Sequence, residues 1–217
     1  MLPTVTPPGL HEFTAGVIAR YALPGARMVD LGCGPGAMSE RAEPLHLEIL
    51  AVDRDPGVYQ GRHPFVALDF DAPSFADELG AGQFNLVLAV EVIEHVESPI
   101  GFLKNIARLL AKNGVAVITT PNVDSLAARL KFLAVGRIRM MDEHSDPTHI
   151  SPIFTDLLIR QFLPRATLRI KEHLFFPPNG HQLTRKHIAL PLRVISKVYP
   201  GKVIAGDHHV LVLEAQG

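Results

Sequence analysis

Apolar runs of strand length recur along this chain, separated by stretches whose apolar positions fall at helical spacing. Phe84–Val90 is a nearly continuous apolar run, as expected of a strand buried on both faces of a parallel sheet. Residues 28–31 and 49–53 are shorter runs that carry Asp30 and Asp53, and 66–69 ends in Asp69. Residues 115–120 form the next strand, stopped by Pro121. Between these runs, residues 10–21, Ala37–Ala42 and 100–112 read as helices, and 73–82 as a weak helix and turn. In the third helix Phe102, Leu103, Ile106, Leu109 and Leu110 share a face, and Asn113-Gly114 is expected to close it. Strand and helix in alternation predict an α/β fold with a doubly wound, mostly parallel sheet and a site at the C-terminal ends of its strands.

Beyond Pro121 the pattern changes. Residues 125–135 read as a helix, 136–150 as a polar loop containing histidines and 154–163 as an amphipathic helix, so 122–163 is expected to be a small helical insertion on the substrate side. Leu168–Phe176 and 209–215 read as closing strands, with 177–202 between them. There is no internal repeat.

With 217 residues and 47% hydrophobic content, the chain can bury one substantial core. Residues 1–217 are therefore read as one domain, with 1–25 an N-terminal arm and helix. A formal net charge of -1 and a pI near 6.8 give no global attraction to nucleic acid or to an anionic membrane. Cys33 is the only cysteine, which excludes an intrachain disulfide and suits a reducing compartment. The start of the chain has neither the basic end nor the apolar run of a signal peptide, and no segment approaches a membrane-spanning run; the cytoplasm is the expected location.

Residues 28–36 read Met-Val-Asp-Leu-Gly-Cys-Gly-Pro-Gly. Three glycines within five residues force a tight turn, and the helix formers that follow place the loop's N–H groups at a helix N-terminus, where an anionic group is favoured. Asp53 lies about twenty residues on, the spacing at which an acid meets ribose hydroxyls. Taken singly, such a glycine run also occurs in turns that bind nothing, and Asp69 could be a solvated turn residue. In combination, these residues resemble the Rossmann-like S-adenosylmethionine-dependent methyltransferases, over roughly residues 26–215. The resemblance implies a seven-stranded sheet with an antiparallel edge pair and S-adenosylmethionine as cofactor. It implies further that Asp30, Gly32 and Gly34, with Gly36 completing the loop, lie against the methionine part, that Asp53 takes the ribose, and that Asp69 lies near the adenine amine with Phe70 beside the ring. A nicotinamide-dependent oxidoreductase more often shows Gly-x-Gly-x-x-Gly, whereas here the third glycine arrives one residue early.

Glu91-Val92-Ile93-Glu94-His95 follows the central strand. If this turn is helical, Glu91, Glu94 and His95 stand at i, i+3 and i+4 on one face. Such a set can bind a divalent cation or supply acid and base groups; alternatively, Glu94 and His95 cap and pair around the next helix. The pattern resembles the ubiquinone-biosynthesis O-methyltransferases and the small-RNA 3′-terminal 2′-O-methyltransferases. In the RNA branch a later histidine completes the metal site, and His149 is the best positional match, with His144 the other candidate. The chain departs from that branch at Ser151-Pro152-Ile153-Phe154 and is not basic overall. Together with a likeness to uncharacterised bacterial methyltransferases, the resemblance implies O-methylation of a small-molecule or sugar hydroxyl. A small-molecule acceptor is then the expected partner and nucleic acid is not. His95, His149 and Glu91 are the catalytic candidates, and Glu91, Glu94, His95 and His149 the ligand candidates for Mg, Mn, Zn or Fe. A non-catalytic S-adenosylmethionine-binding module is the remaining reading, opposed by intact Glu91, Glu94 and His95. His173, His181, His208 and His209 have no spacing that raises them above surface or strand positions.

Overall fold

A computed structural model describes residues 2, 6–178 and 206–216. Its centre is a seven-stranded sheet ordered β3-β2-β1-β4-β5-β7-β6. The strands are β1 (Arg27–Leu31), β2 (Glu48–Asp53), β3 (Phe65–Ala67), β4 (Phe84–Val90), β5 (Leu110–Pro121), β6 (Leu168–Phe176) and β7 (His208–Ala215). The first five run parallel, and β7 lies antiparallel to both β5 and β6. The helices are α1 (Leu10–Ile18), α2 (Ala37–Ala42), α3 (Phe75–Leu79), α4 (Pro99–Leu109), α5 (Leu126–Val135), α6 (Thr155–Leu157) and α7 (Leu163–Arg165), the last two joined by a π-helical turn, Leu158–Phe162.

A central strand buried on both faces calls for apolar residues on both, and β4, apolar apart from the exposed Asn85, supplies each of two cores in turn. Val87 and Ala89 join Phe75, Phe102 and Ile106 beneath α3 and α4, while Leu86, Leu88 and Val90 join Leu10, Ile18 and Met38 beneath α1 and α2. Burial of this kind, at about 25 cal/mol per Å² of apolar surface, is the main term that holds the layers together.

The junction of α4 and β5 differs from expectation. α4 ends at Leu109, not 112, and Asn113-Gly114 belongs to β5. The pairing of β4 with β5 shifts register between Phe84 and Leu86, and the Asn113 backbone there is left-handed, with φ of 64°. A Cβ on Gly114 would stand 2.8 Å from the Phe84 carbonyl oxygen. The Asn-Gly pair therefore serves a strand irregularity, which uses the same left-handed backbone as a helix cap. Of the segment expected between the closing strands, 179–202, including His181, lies outside the described residues.

Because β7 is antiparallel, its first residues sit at the C-terminal ends of the parallel strands. Pro121 pairs with His208 and Thr120 with His209. That edge carries the site. No helix among the described residues is long and apolar enough to cross a membrane.

Candidate active site

The glycine loop leaves β1 beneath a deep bend. Gly32 and Cys33 donate their N–H groups to Val52 O at 2.8 and 3.1 Å, which fastens the loop to β2. Gly32, Gly34 and Gly36 all have positive φ, and a Cβ on Gly32 would stand 2.5 Å from a Val92 methyl, so the first glycine is required on both counts. Beside Gly34 there is open space where a Cβ would be. Asp53, at the end of β2, accepts the Gly34 N–H at 2.8 Å and the Asp55 N–H at 3.1 Å, which holds its carboxylate against the loop. Asp30 is buried at the end of β1 and accepts from Ser39 Oγ at 2.7 Å. Burial pushes its carboxyl up to about 6, against the pull of the Ser39 hydrogen bond. Burial and the nearby Asp30 and Asp53 also raise the Cys33 thiol, so the loop holds no ready thiolate.

Two adjoining clefts open at this edge. The larger, about 540 Å³, is lined by Gly34, Asp53, Asp69, Phe70, Val96 and Ile150 among others, and falls in the range of small-molecule sites. Asp69 accepts the Asp71 N–H in a tight turn, and Phe70 packs edge-on against Phe75 and Phe102. The smaller cleft, about 270 Å³, includes His11, Asp30, Met140, Asp146, His149 and His208 in its lining. Gly32, Gly34, Glu91 and His95 border both.

The segment after β4 does not meet the condition of an α-helical turn. Glu91 has φ of 55°, and only Ile93–His95 forms a 3-10 turn, so Glu91 does not share a face with Glu94 and His95. Its carboxylate turns to Thr119, whose Oγ1 donates to Glu91 Oε1 at 2.8 Å, and to His208, whose Nε2 lies 3.2 Å from Oε2. Burial acts against its charge, but His208 and Thr119 outweigh it and hold the carboxyl below the usual range. Glu94, fully buried, accepts from Thr120 Oγ1 at 3.0 Å through Oε2, while Oε1 has no hydrogen-bond partner. Burial, then the neighbouring Glu91, raise its carboxyl well above the usual range. Neither Glu94 nor His95 caps the next helix; Ser98 does, accepting the Gly101 N–H at 3.1 Å.

The loop after α5 brings the second histidine in. The Glu94 carbonyl accepts from the Ile150 and Ser151 N–H groups at 3.0 and 2.9 Å, which ties the loop to the 3-10 turn. Glu94, His95 and His149 then each bring a donor atom to within 4.8 Å of the others'. His149, not His144, makes this approach; His144 is exposed beside Glu143. The His95 and His149 rings stand edge to face with centroids 4.6 Å apart. His149 Nδ1 lies 2.7 Å from the Met140 carbonyl oxygen, and His95 Nδ1 lies 3.2 Å from that of Thr148. A carbonyl only accepts, so each Nδ1 carries a proton and points its ring's Nε2 away from that carbonyl. Burial, then His149, lower the His95 imidazole below its ordinary value.

Among the lining residues that escaped the sequence reading are two buried histidines. His208, 1% exposed, enters from β7, and His11, 8% exposed, from α1. Burial, then Arg41, lower His11 to about 4, so it is neutral near pH 7. A polar residue on the buried face of α1 and a histidine opening an otherwise apolar strand were the available signals.

Residues 10–172 match the methyltransferase domain family. The chain belongs to that family. Relatives of this methyltransferase include the ubiquinone biosynthesis O-methyltransferase of Caulobacter sp. (strain K31), 36% identical over 136 residues that cover 59% of this chain and 52% of the relative. The protein of the same description from Xanthomonas campestris pv. campestris (strain B100) is 34% identical over 49% of this chain and 47% of its own. The chain thus spans about half the length of the curated relatives it matches. Among solved structures, a SAM-dependent methyltransferase from Archaeoglobus fulgidus superposes with a TM-score of 0.62 over 94% of each chain at 18% identity. An S-adenosylmethionine-dependent methyltransferase from Mesorhizobium loti gives 0.59 over 94% of this chain and 98% of its own at 17% identity. The methyltransferase therefore has the Rossmann-like fold of these enzymes, with a mostly parallel sheet and one antiparallel edge pair.

Proposed function

We propose that this methyltransferase moves a methyl group from S-adenosylmethionine to a hydroxyl of a small molecule, with a divalent cation held by Glu94, His95 and His149. The relatives named as O-methyltransferases support the transfer to oxygen. The observation that carries the cation is Glu94 Oε1, buried without a partner, in a carboxylate that has a donor atom within 4.8 Å of those of two imidazoles. A buried carboxyl with an orphan oxygen is a poor resting arrangement, and a cation would both satisfy the oxygen and favour the charged form that burial opposes. Both imidazoles have the carbonyl-bound Nδ1–H that orients a ligating histidine. One carboxylate oxygen and two nitrogens suit Zn, Fe or Mn better than Mg. Glu91, expected as a fourth ligand, serves in this reading to anchor His208 and Thr119.

The open space beside Gly34 and the rim formed by Asp53, Asp69 and Phe70 fit S-adenosylmethionine in the larger cleft. That cofactor supplies an activated methyl, whose bond to sulfur breaks with the electron pair staying on sulfur. The cation would lower the pKa of the acceptor hydroxyl and fix neighbouring oxygens, which favours a catechol or a vicinal diol. Gly32, Gly34, Glu91 and His95, bordering both clefts, are placed to set the line between donor and acceptor, and positioning of this kind supplies much of the acceleration.

Turnover of a catechol or vicinal diol should disappear on chelation and return when one of Zn, Fe, Mn or Mg is restored. Full activity in metal-free enzyme, with loss only on His95→Ala or His149→Ala, would sink the cation and leave acid-base catalysis by histidine.

A further inference from the structure

We propose that Asp146 and Thr148 are positioning residues for His95: the Asp146 carboxylate accepts from the Thr148 hydroxyl, that hydroxyl accepts from His95 Nδ1, and His95 Nε2 is thereby kept free to ligate the cation. This rests on the methyl-transfer reading with its cation, and adds two residues that act through His95. The run Asp146-Pro147-Thr148-His149 builds the arrangement locally. Proline in second place presets a tight turn, and aspartate in first place has a side chain that reaches the backbone two residues on. The turn closes with the His149 N–H on the Asp146 carbonyl oxygen at 3.2 Å, and Asp146 Oδ1 accepts the Thr148 N–H at 2.8 Å.

A turn needs nothing more than those two bonds. Here the same Asp146 Oδ1 also accepts from Thr148 Oγ1 at 2.5 Å, and Oγ1 lies 2.8 Å from His95 Nδ1. The Thr148 hydroxyl, then its N–H, hold the Asp146 carboxyl below the usual carboxylate range, so it is ionised near pH 7 and can only accept. A hydroxyl has one proton, and with that proton directed to Asp146 only lone pairs face His95. His95 Nδ1 is then the donor, the same assignment that the Thr148 carbonyl imposes from 3.2 Å. In a neutral imidazole the hydrogen bond made by one nitrogen decides which nitrogen can bind a metal, and here it leaves Nε2. A carboxylate behind a ligating histidine also raises the basicity of the ring, so the chain from Asp146 to His95 bears on affinity as well as on orientation.

The test reads the imidazole itself, by long-range proton–nitrogen NMR spectra of metal-free protein labelled at histidine nitrogen. The spectra are taken at pH 8, where the lowered His95 is neutral, and its signals are assigned by comparison with His95→Gln. The wild type should show a protonated Nδ1 and a bare Nε2. Thr148→Val removes the hydroxyl and keeps the shape of the side chain, so its His95 ring should become a mixture of the two tautomers, and Thr148→Ser should restore the wild-type pattern. By calorimetry, the Kd for Mn²⁺ should rise about 10–100-fold in Thr148→Val and recover in Thr148→Ser, while that for S-adenosylmethionine stays near its wild-type value in both. A turn that only shapes the loop would leave the tautomer unmoved. If Thr148→Val does not fold by circular dichroism, Asp146→Ala, which removes the carboxylate, decides by the same measurements. A wild-type His95 protonated at Nε2, or a folded variant with the tautomer and the Mn²⁺ affinity of the wild type, overturns the inference and leaves the cation standing. A wild type that binds none of Mn²⁺, Zn²⁺ or Fe²⁺ sinks the cation and this inference together.

Discussion

Asp30 is an acid held where its charge is expensive, buried under the glycine loop and hydrogen-bonded to Ser39. Its carboxyl is raised from 3.8 to about 6. Between those values the folded state binds the proton more tightly than the unfolded chain, so this group's contribution to stability falls as pH rises through the window. At about 1.4 kcal/mol per pH unit, the loss approaches roughly 3 kcal/mol above pH 6. Asp30→Asn should therefore unfold at higher urea than wild type at pH 7.5, with the difference shrinking as pH falls from 6 toward 4, while S-adenosylmethionine binds more weakly. A pH-independent difference in urea midpoint would show that the carboxyl is not strained. Asp30, the glycines and Asp53 were readable because their spacing is local: strand, turn and helix fix them within a few residues. His11 and His208 were not, since their place depends on the packing of α1 and on a pairing between Pro121 and His208 that no local spacing reports.

At the scale of elements, the stretch from Gly136 to Ile150 is the piece that completes the cluster. Met140 holds His149 through its carbonyl, Asp146 accepts from Thr148, and Thr148 holds His95. The loop is fastened by Arg139 to the buried Asp207 at 2.6 Å and by Lys131 to Asp142. Replacing residues 136–146 with a short Gly-Ser linker should weaken cation binding by about 10–100-fold and abolish turnover, while S-adenosylmethionine affinity stays near wild type. Calorimetry with the cofactor and with Mn²⁺ separates the two, and equal loss of both would assign the loop to the cofactor cleft. The helix before the loop was plain in the sequence, and the structure adds its cap, where Ser125 Oγ accepts the Ala128 N–H. Two other elements misled. Asn113-Gly114 looks like a helix terminus because a strand irregularity makes the same demand on the backbone, and the turn at Glu91 looks helical because its residues permit a helix that tertiary contacts to Thr119 and His208 override.

The whole molecule should report its cofactor through stability. Ligand that binds only the folded state adds about 2.7 kcal/mol at a hundred times its Kd, which for a chain of this size raises Tm by roughly 5–10 °C. S-adenosylmethionine and S-adenosylhomocysteine should give that shift and NAD should not; a shift with NAD alone would return the chain to the nicotinamide reading. The parallel core was legible because strands buried on both faces leave long apolar runs, whereas the partnership of β6 with β7 came only by resemblance. That partnership has a consequence for how the protein is made. β7 is the last strand in chain order but lies between β5 and β6, so β6 emerges during synthesis with no neighbour to bond it. Roughly thirty residues separate the end of β6 from His208, a delay of a few seconds at ribosomal rates of about 5–20 residues per second. During that interval both flanking strands present unpaired edges to other nascent chains. Arg169, Lys171 and Glu172, spaced along β6, put charge on the edge that waits and so discourage it from pairing with a stranger.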